Sequence, residues 1–207
     1  MSAGITIMDG FEERHRATVA KMFWDAFEAK LHKILGPAPL ARSFIESVLD
    51  PLFAISAVDE NGEILGVAGY KTADGALVGG ELSDMTKVYG TFGGLWRGLF
   101  LHVLERPLKE GELLMDGIFV TAAARGRGIG TLLLNAVKAK SRALGDGTVR
   151  LDVIDINPRA KALYQRHGFV KTATQSTGPL KFVFGFSFAE TMIYAADGSD
   201  VKGRRDV

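Results

Sequence analysis

Residues 119–145 read FVTAAARGRGIGTLLLNAVKAKSRALG. An apolar run, Leu113 to Val120, predicts a strand that leads into a glycine-rich turn. The pattern then predicts a helix from Gly126 to Leu144. Gly126, Gly128 and Gly130 let backbone N–H groups approach an anion closely, and the open N–H groups of a first helical turn point at it. From Thr121 to Arg150, six bases (Arg125, Arg127, Lys138, Lys140, Arg142 and Arg150) stand against one acid, Asp146, a local balance of +5. A positive field beside a helix N-terminus suggests a di- or polyphosphate ligand. The plainer reading is a glycine-rich turn before a basic, solvated helix. Known phosphate loops narrow the choice. A Walker loop needs Gly-Lys before its Ser or Thr, and Thr131 follows Gly130 instead. The dinucleotide pattern G-x-G-x-x-G fails because Thr131 stands where its third glycine belongs. The pattern R-x-x-G-x-G/A fits in full with Arg125, Gly128 and Gly130.

Beyond this helix, Val149 to Ile154 predicts a second strand, and then comes NPRAKALYQRHGF, residues 157–169. Asn157 before Pro158 suits a helix N-cap with proline in the first turn. His167, just before Gly168, reads as a C-terminal capping residue rather than a base. With R-x-x-G-x-G/A at the head of one helix, then a strand, then N-x-x-A…L-Y-x-x-x-G-F, the two blocks together resemble the GNAT superfamily of acyl-CoA-dependent N-acyltransferases. The close resemblance spans about Glu112 to Lys171, and the coarse order of elements extends it from Ile5 to about Ala195.

The resemblance implies an α/β fold, with a mixed central sheet whose splayed parallel strands are flanked by helices. It implies acetyl-CoA as co-substrate and a small-molecule or peptide amine as acceptor. By the same resemblance, the amides of Gly126, Arg127, Gly128, Ile129, Gly130 and Thr131, helped by Arg125, cradle the CoA pyrophosphate. Backbone groups around Ile118 and Val120 pair with the pantetheine, Asn157 binds that arm from the other side of the splay, and Tyr164 stands near the thioester sulfur. Arg127, Lys138 or Lys140 meets the 3′-phosphate.

The residue types suit the chemistry. An alkylammonium with a pKa of about 10.4 is protonated at neutral pH, so a base or a water relay must free its lone pair. A tyrosine, with an ordinary pKa of about 10, keeps its proton and can donate it to a leaving thiolate. The chain has no cysteine, which excludes an acyl-cysteine relay and leaves direct transfer in a ternary complex. Asp116 is the first choice for the base, with Glu112, Asp152 and Asp155 as the other acids nearby. Strand alternation, absent a bulge, puts Glu112, Leu114, Asp116 and Ile118 on one face. A structural role for Tyr164, anchoring its helix to the sheet, stays open, as does a salt-bridged role for each acid. A non-catalytic acyl-CoA-binding module of the same fold is the alternative to an enzyme.

The rest of the chain sets the frame. It has 207 residues, 25 Lys+Arg against 24 Asp+Glu, and 47% hydrophobic residues. The net charge of +1 argues against a dedicated nucleic-acid binder. Residues 1–196 read as one domain, with residues 79–107 as an insertion and residues 197–207 as a polar tail expected to fray. No signal-peptide pattern opens the chain and no run of about 18 apolar residues occurs, so a cytoplasmic protein without a membrane span is expected. His15, His32 and His102 lack metal-ligand spacing, and no metal is assigned.

The pattern predicts a first strand at residues 5–8, a helix through Val19 to Ile34, and a second helix from about Ala41 to Leu49. A hairpin follows from Leu52 to Tyr70, turning at Asn61-Gly62. Residues 79–107 suggest a short helix or two with glycine joints. Phe182, Phe184, Phe186 and Phe188 alternate, so an extended segment would present four rings on one face. Such a face, with Tyr89, Phe92, Trp96 and Phe100, is either core and subunit packing or an apolar wall for the acceptor. Exposed strand edges and this aromatic segment suggest a homodimer.

Overall fold

The computed structural model describes residues 4–104, 107–178 and 181–195; the tail at 197–207 lies outside them. Strand β1 (Thr6–Asp9) precedes the long helix α1 (Arg16–Leu35), whose buried Val19, Met22, Phe23, Leu31 and Ile34 form one stripe. Helix α2 (Ala38–Val48) starts earlier than the expected Ala41. Pro39 lies in its first turn, where a missing N–H costs no helical hydrogen bond. The hairpin of β2 (Ala54–Val58) and β3 (Ile64–Thr72) turns at Gly62, whose φ of +78° suits glycine, and the short β4 (Gly75–Ala76) folds back on β3. Next come α3 (Leu82–Leu104), β5 (Glu112–Val120), α4 (Ile129–Leu144), β6 (Thr148–Ile154) and α5 (Pro158–Arg166). Strand β7 (Val170–Ser176), the short α6 (Lys181–Phe184) and β8 (Phe188–Ala195) complete the order.

The sheet runs β1-β2-β3-β5-β6-β8-β7 and is antiparallel except for β5 and β6. That parallel pair holds register only through Glu112↔Thr148, Leu113↔Val149 and Leu114↔Arg150. Both strands continue, β5 for six residues and β6 for four, so they diverge into a cleft with an unpaired backbone edge on each side. Apolar side chains cover both faces. One core joins α1, α2 and Phe119; the other joins α4, α5, Leu113, Met115, Leu151 and Met192. Among the described residues no helix is long and apolar enough to cross a membrane.

Two expectations from the sequence are corrected. On β5, Gly117 pairs with Gly69 and Met115 with Tyr70, so Asp116 is an extra residue in a bulge. The bulge reverses the alternation beyond it. Leu114 and Asp116 stay on the α1 face, whereas Ile118 packs against the α4 core. The four phenylalanines do not share an extended face, because α6 and Gly185 (φ +73°) intervene before β8. Phe186 is buried in the α1 core and Phe182 is exposed.

Segment 79–107 contributes α3, a helical hairpin bent at Gly90, where φ is +72°. Gly94 and Gly98 are not joints. A Cβ on Gly94 would lie 2.7 Å from the Thr86 backbone, and one on Gly98 would lie 2.8 Å from Leu82 Cδ1. The two halves of α3 therefore touch along small residues. The hairpin is tied to the end of α1 by Tyr89, whose hydroxyl donates to the Leu35 carbonyl at 2.5 Å, and by Arg97, which donates to the Gly36 carbonyl.

Candidate active site

The loop between β5 and α4 is shaped by two left-handed glycines, Gly126 (φ +79°) and Gly128 (φ +78°). Nothing stands within 4 Å of where their Cβ atoms would be, so it is φ and not space that calls for glycine. The Gly128 carbonyl accepts from Thr131 and Leu132 to start α4. The amides from Gly126 to Gly130 have no acceptor among the described residues. Exposed Arg125 precedes them, and exposed Arg127 lies among them. Five open N–H groups at the N-terminus of a four-turn helix suit a pyrophosphate.

Lys138 and Lys140 point elsewhere. Lys138 is buried and donates to the His167 carbonyl at 2.5 Å, with its ammonium 4.0 Å from the centre of the Tyr194 ring. Burial, with Arg142 nearby, holds its pKa below the ordinary lysine value. Lys140 binds Asp9 at 3.2 Å. Thr131 also meets His167, with 3.3 Å between Oγ1 and Nε2, so His167 caps α5 and joins it to the head of α4. Sequence reading missed both links, since they span 29 and 36 residues.

Asn157 caps α5 as its sequence context implies; its Oδ1 accepts from the Ala160 amide at 3.2 Å. Tyr164, two residues before the end of α5, is 7% exposed and packs 5.8 Å from Phe169 between ring centres. Burial pushes its phenol up to about 12. Its hydroxyl has no hydrogen-bond partner among the described residues. Ile118 and Val120 lie on the stretch of β5 that β6 leaves unpaired.

The four acids separate by surroundings. Glu112 is buried against Arg150 at 3.2 Å; burial raises its pKa and Arg150 opposes the rise. Asp152 accepts from the Thr191 hydroxyl at 2.5 Å, and Asp155 accepts from the Ser187 amide at 3.1 Å. Asp116 is the one of the four in the wall of a cavity of about 840 Å³ between α1, α2, α3 and the sheet. It stands two residues past the last β5–β6 pair, where the cleft opens. Gly117 beside it has no room for a side chain, since a Cβ there would lie 2.6 Å from the Phe27 ring.

A phosphate-type loop at the head of α4, next to a parallel strand pair that opens into a cleft, coincides with a match of residues 17–169 to the Acetyltransferase (GNAT) family. The chain belongs to that family. As a GNAT protein it is an acyltransferase, and acetyl-CoA is the co-substrate of the family. Solved structures share the fold over nearly the whole chain. A GCN5-related N-acetyltransferase from Kribbella flavida superposes with a TM-score of 0.64 at 17% identity, covering 94% of this chain and 99% of that one. The ribosomal-protein-alanine N-acetyltransferase from Brucella melitensis gives 0.61 at 18%, covering 92% and 99%. The protein yncA from Salmonella typhimurium, solved with its cofactor acetyl-CoA, gives 0.59 at 16%, covering 96% and 97%. No curated protein sequence matches the GNAT chain at a significant level.

Proposed function

We propose that this GNAT protein transfers the acetyl group of acetyl-CoA directly to a primary amine, within one domain spanning residues 1–196. The observation that carries the reading is the run of open amides from Gly126 to Gly130 beside the unpaired edges of β5 and β6. The first fits a pyrophosphate and the second fits an extended arm with amide groups of its own. In this reading Arg125 and the amides through Thr131 hold the pyrophosphate, and Ile118 and Val120 offer backbone groups to the pantetheine. Asn157 reaches the arm through its side-chain N–H₂, since its oxygen is used as a cap. With Lys138 and Lys140 committed to internal partners, Arg127 is the base left to meet the 3′-phosphate.

The transfer forms a C–N bond at the thioester carbonyl and breaks the C–S bond. Asp116 takes the proton that frees the amine, directly or through water. Tyr164 gives a proton to the departing sulfur and regains one, directly or through water, from the nitrogen, which sheds its second proton as the amide forms. Burial keeps the phenol protonated between turnovers. Holding amine and thioester in one cleft lowers the entropic part of the barrier.

Thermal melts in parallel with acetyl-CoA, NAD and ATP test the ligand. A hundredfold excess over Kd stabilises a folded state by about 2.7 kcal/mol, a Tm rise of roughly 5–10 °C for a chain of this size. The rise is expected with acetyl-CoA and not with the other two. Stabilisation only by NAD or ATP refutes the loop assignment. Binding without turnover on any amine would make the protein an acyl-CoA-binding module instead.

A further inference from the structure

We infer that the acceptor is an amphiphilic small molecule, a primary amine carried on a bulky aliphatic or aromatic body, seated in the cavity beneath α3 with its nitrogen towards Asp116. The inference rests on the acetyltransferase reading and names the substrate class for that site. The cavity, about 840 Å³, falls in the range of small-molecule sites, roughly 300–1,000 Å³. Helices α1 and α2 line it with Phe27, Leu31 and Phe44, and α3 lines it with Leu82, Leu95 and Leu99. Charge is confined to four lining side chains, the bases Lys30 and Lys71 and the acids Glu81 and Asp116, and Asp116 is the one beside the cleft between β5 and β6.

Three α3 leucines set the character of the cavity. Each faces the cavity, yet Leu82 is 48%, Leu95 56% and Leu99 67% exposed. Leucines left open around a concave site are poorly covered by the protein itself, and an apolar occupant would take that surface out of water. A hydroxyl-rich or polycationic amine would instead lose hydrogen bonds to water with few partners in exchange. A peptide would bring an N–H and a C=O with every residue. The α1, α2 and α3 walls spend their backbone groups inside helices, so they offer a peptide little. A carboxylate beside the cleft and a greasy wall along α1, α2 and α3 match an ammonium on an apolar tail.

The α3 hairpin is thus the specificity element. Gly94 and Gly98 let its halves close together, and Tyr89 and Arg97 pin it over the cavity. The test uses propylamine, hexylamine and 4-phenylbutylamine against ethanolamine and an amino sugar. It reads kcat/KM with saturating acetyl-CoA and, separately, calorimetric binding of each amine. Efficiency is expected to rise about three- to fourfold per added methylene, the factor a buried CH₂ gives, until the cavity is full. In Leu95→Ser/Leu99→Ser, hexylamine binding is expected to weaken at least tenfold, while the Tm and the acetyl-CoA Kd report an intact fold. A flat or falling series, with hydrophilic amines turned over as well, overturns the inference and leaves the transferase reading standing. Preferential acetylation of a peptide with an apolar N-terminal residue overturns it too. If no amine is turned over, the transferase reading falls, and hexylamine binding that is lost in the double variant still decides the apolar site.

Discussion

Packing and chemistry ask the same thing of Tyr164. Its ring anchors α5 against Phe169, and the burial that provides the anchor also raises the phenol to about 12. A phenol raised above its unfolded value of about 10 favours the protonated, folded form. That stabilisation is fully present below about pH 10 and is lost as pH rises through about 12. Tyr164→Phe should therefore melt like the parent at neutral pH and lose less stability above pH 10, a difference that melts at pH 7 and pH 11 can read. The same variant should lower kcat by about a hundredfold, the low end for a lost general acid, with the acetyl-CoA Kd unchanged. An unaltered kcat would reduce Tyr164 to an anchor. At this scale Asn157-Pro158 was legible from sequence, since a cap acts on amides two or three residues away. The commitments of Lys138 and Lys140 were not, because His167 and Asp9 are neighbours only after folding.

At the scale of elements, the glycines of α3 and of the phosphate loop make opposite predictions from one substitution. Gly94→Ala pushes a Cβ to within 2.7 Å of the Thr86 backbone, which cannot rotate away, so the halves of α3 must part. A loss of about 1–3 kcal/mol is expected, as for overpacked cores, with weaker acceptor binding and normal acetyl-CoA affinity. Gly128→Ala meets open space but forces an L-residue to φ +78°, at a cost of about 1–2 kcal/mol. Its damage should fall on acetyl-CoA, because the loop carries the amides. Melting curves and calorimetry with each ligand separate the two, and a shared pattern would refute the division.

The same contrast explains what sequence periodicity reached. The helices and the β2–β3 hairpin follow from local apolar spacing, and the strand–loop–helix of the phosphate site follows from glycines adjacent in sequence. The Asp116 bulge does not, since its extra residue exists only relative to β3. Period two in Phe182–Phe188 likewise pointed to a strand, but Gly185 turns the chain and its amide closes back on the Lys181 carbonyl of α6. Gly94 and Gly98 read as hinges because nothing in sequence shows that another backbone passes beside them.

Across the whole molecule, the sheet separates two kinds of binding that salt should tell apart. The chain is nearly neutral at +1, and of the six bases between Thr121 and Arg150 only Arg125 and Arg127 stand at the head of α4. The cavity beneath α3 is mostly apolar and lies against the α1 core. In the proposed site, phosphate recognition by exposed Arg125 and Arg127 would be screened as the Debye length falls from about 10 Å at 0.1 M salt to about 3 Å at 1 M. Burial of an alkyl chain carries no such charge, and only the contact of ammonium with Asp116 is exposed to screening. Raising NaCl from 0.05 to 0.5 M should therefore weaken acetyl-CoA binding by roughly three- to tenfold and hexylamine binding by less than about twofold. Removing Arg125 and Arg127 together should flatten the first dependence and leave the second as it was. Calorimetric titration of each ligand at both salt concentrations reads all four values. An acetyl-CoA affinity indifferent to salt would mean that the open amides of Gly126–Gly130 hold the ligand with little help from the arginines beside them.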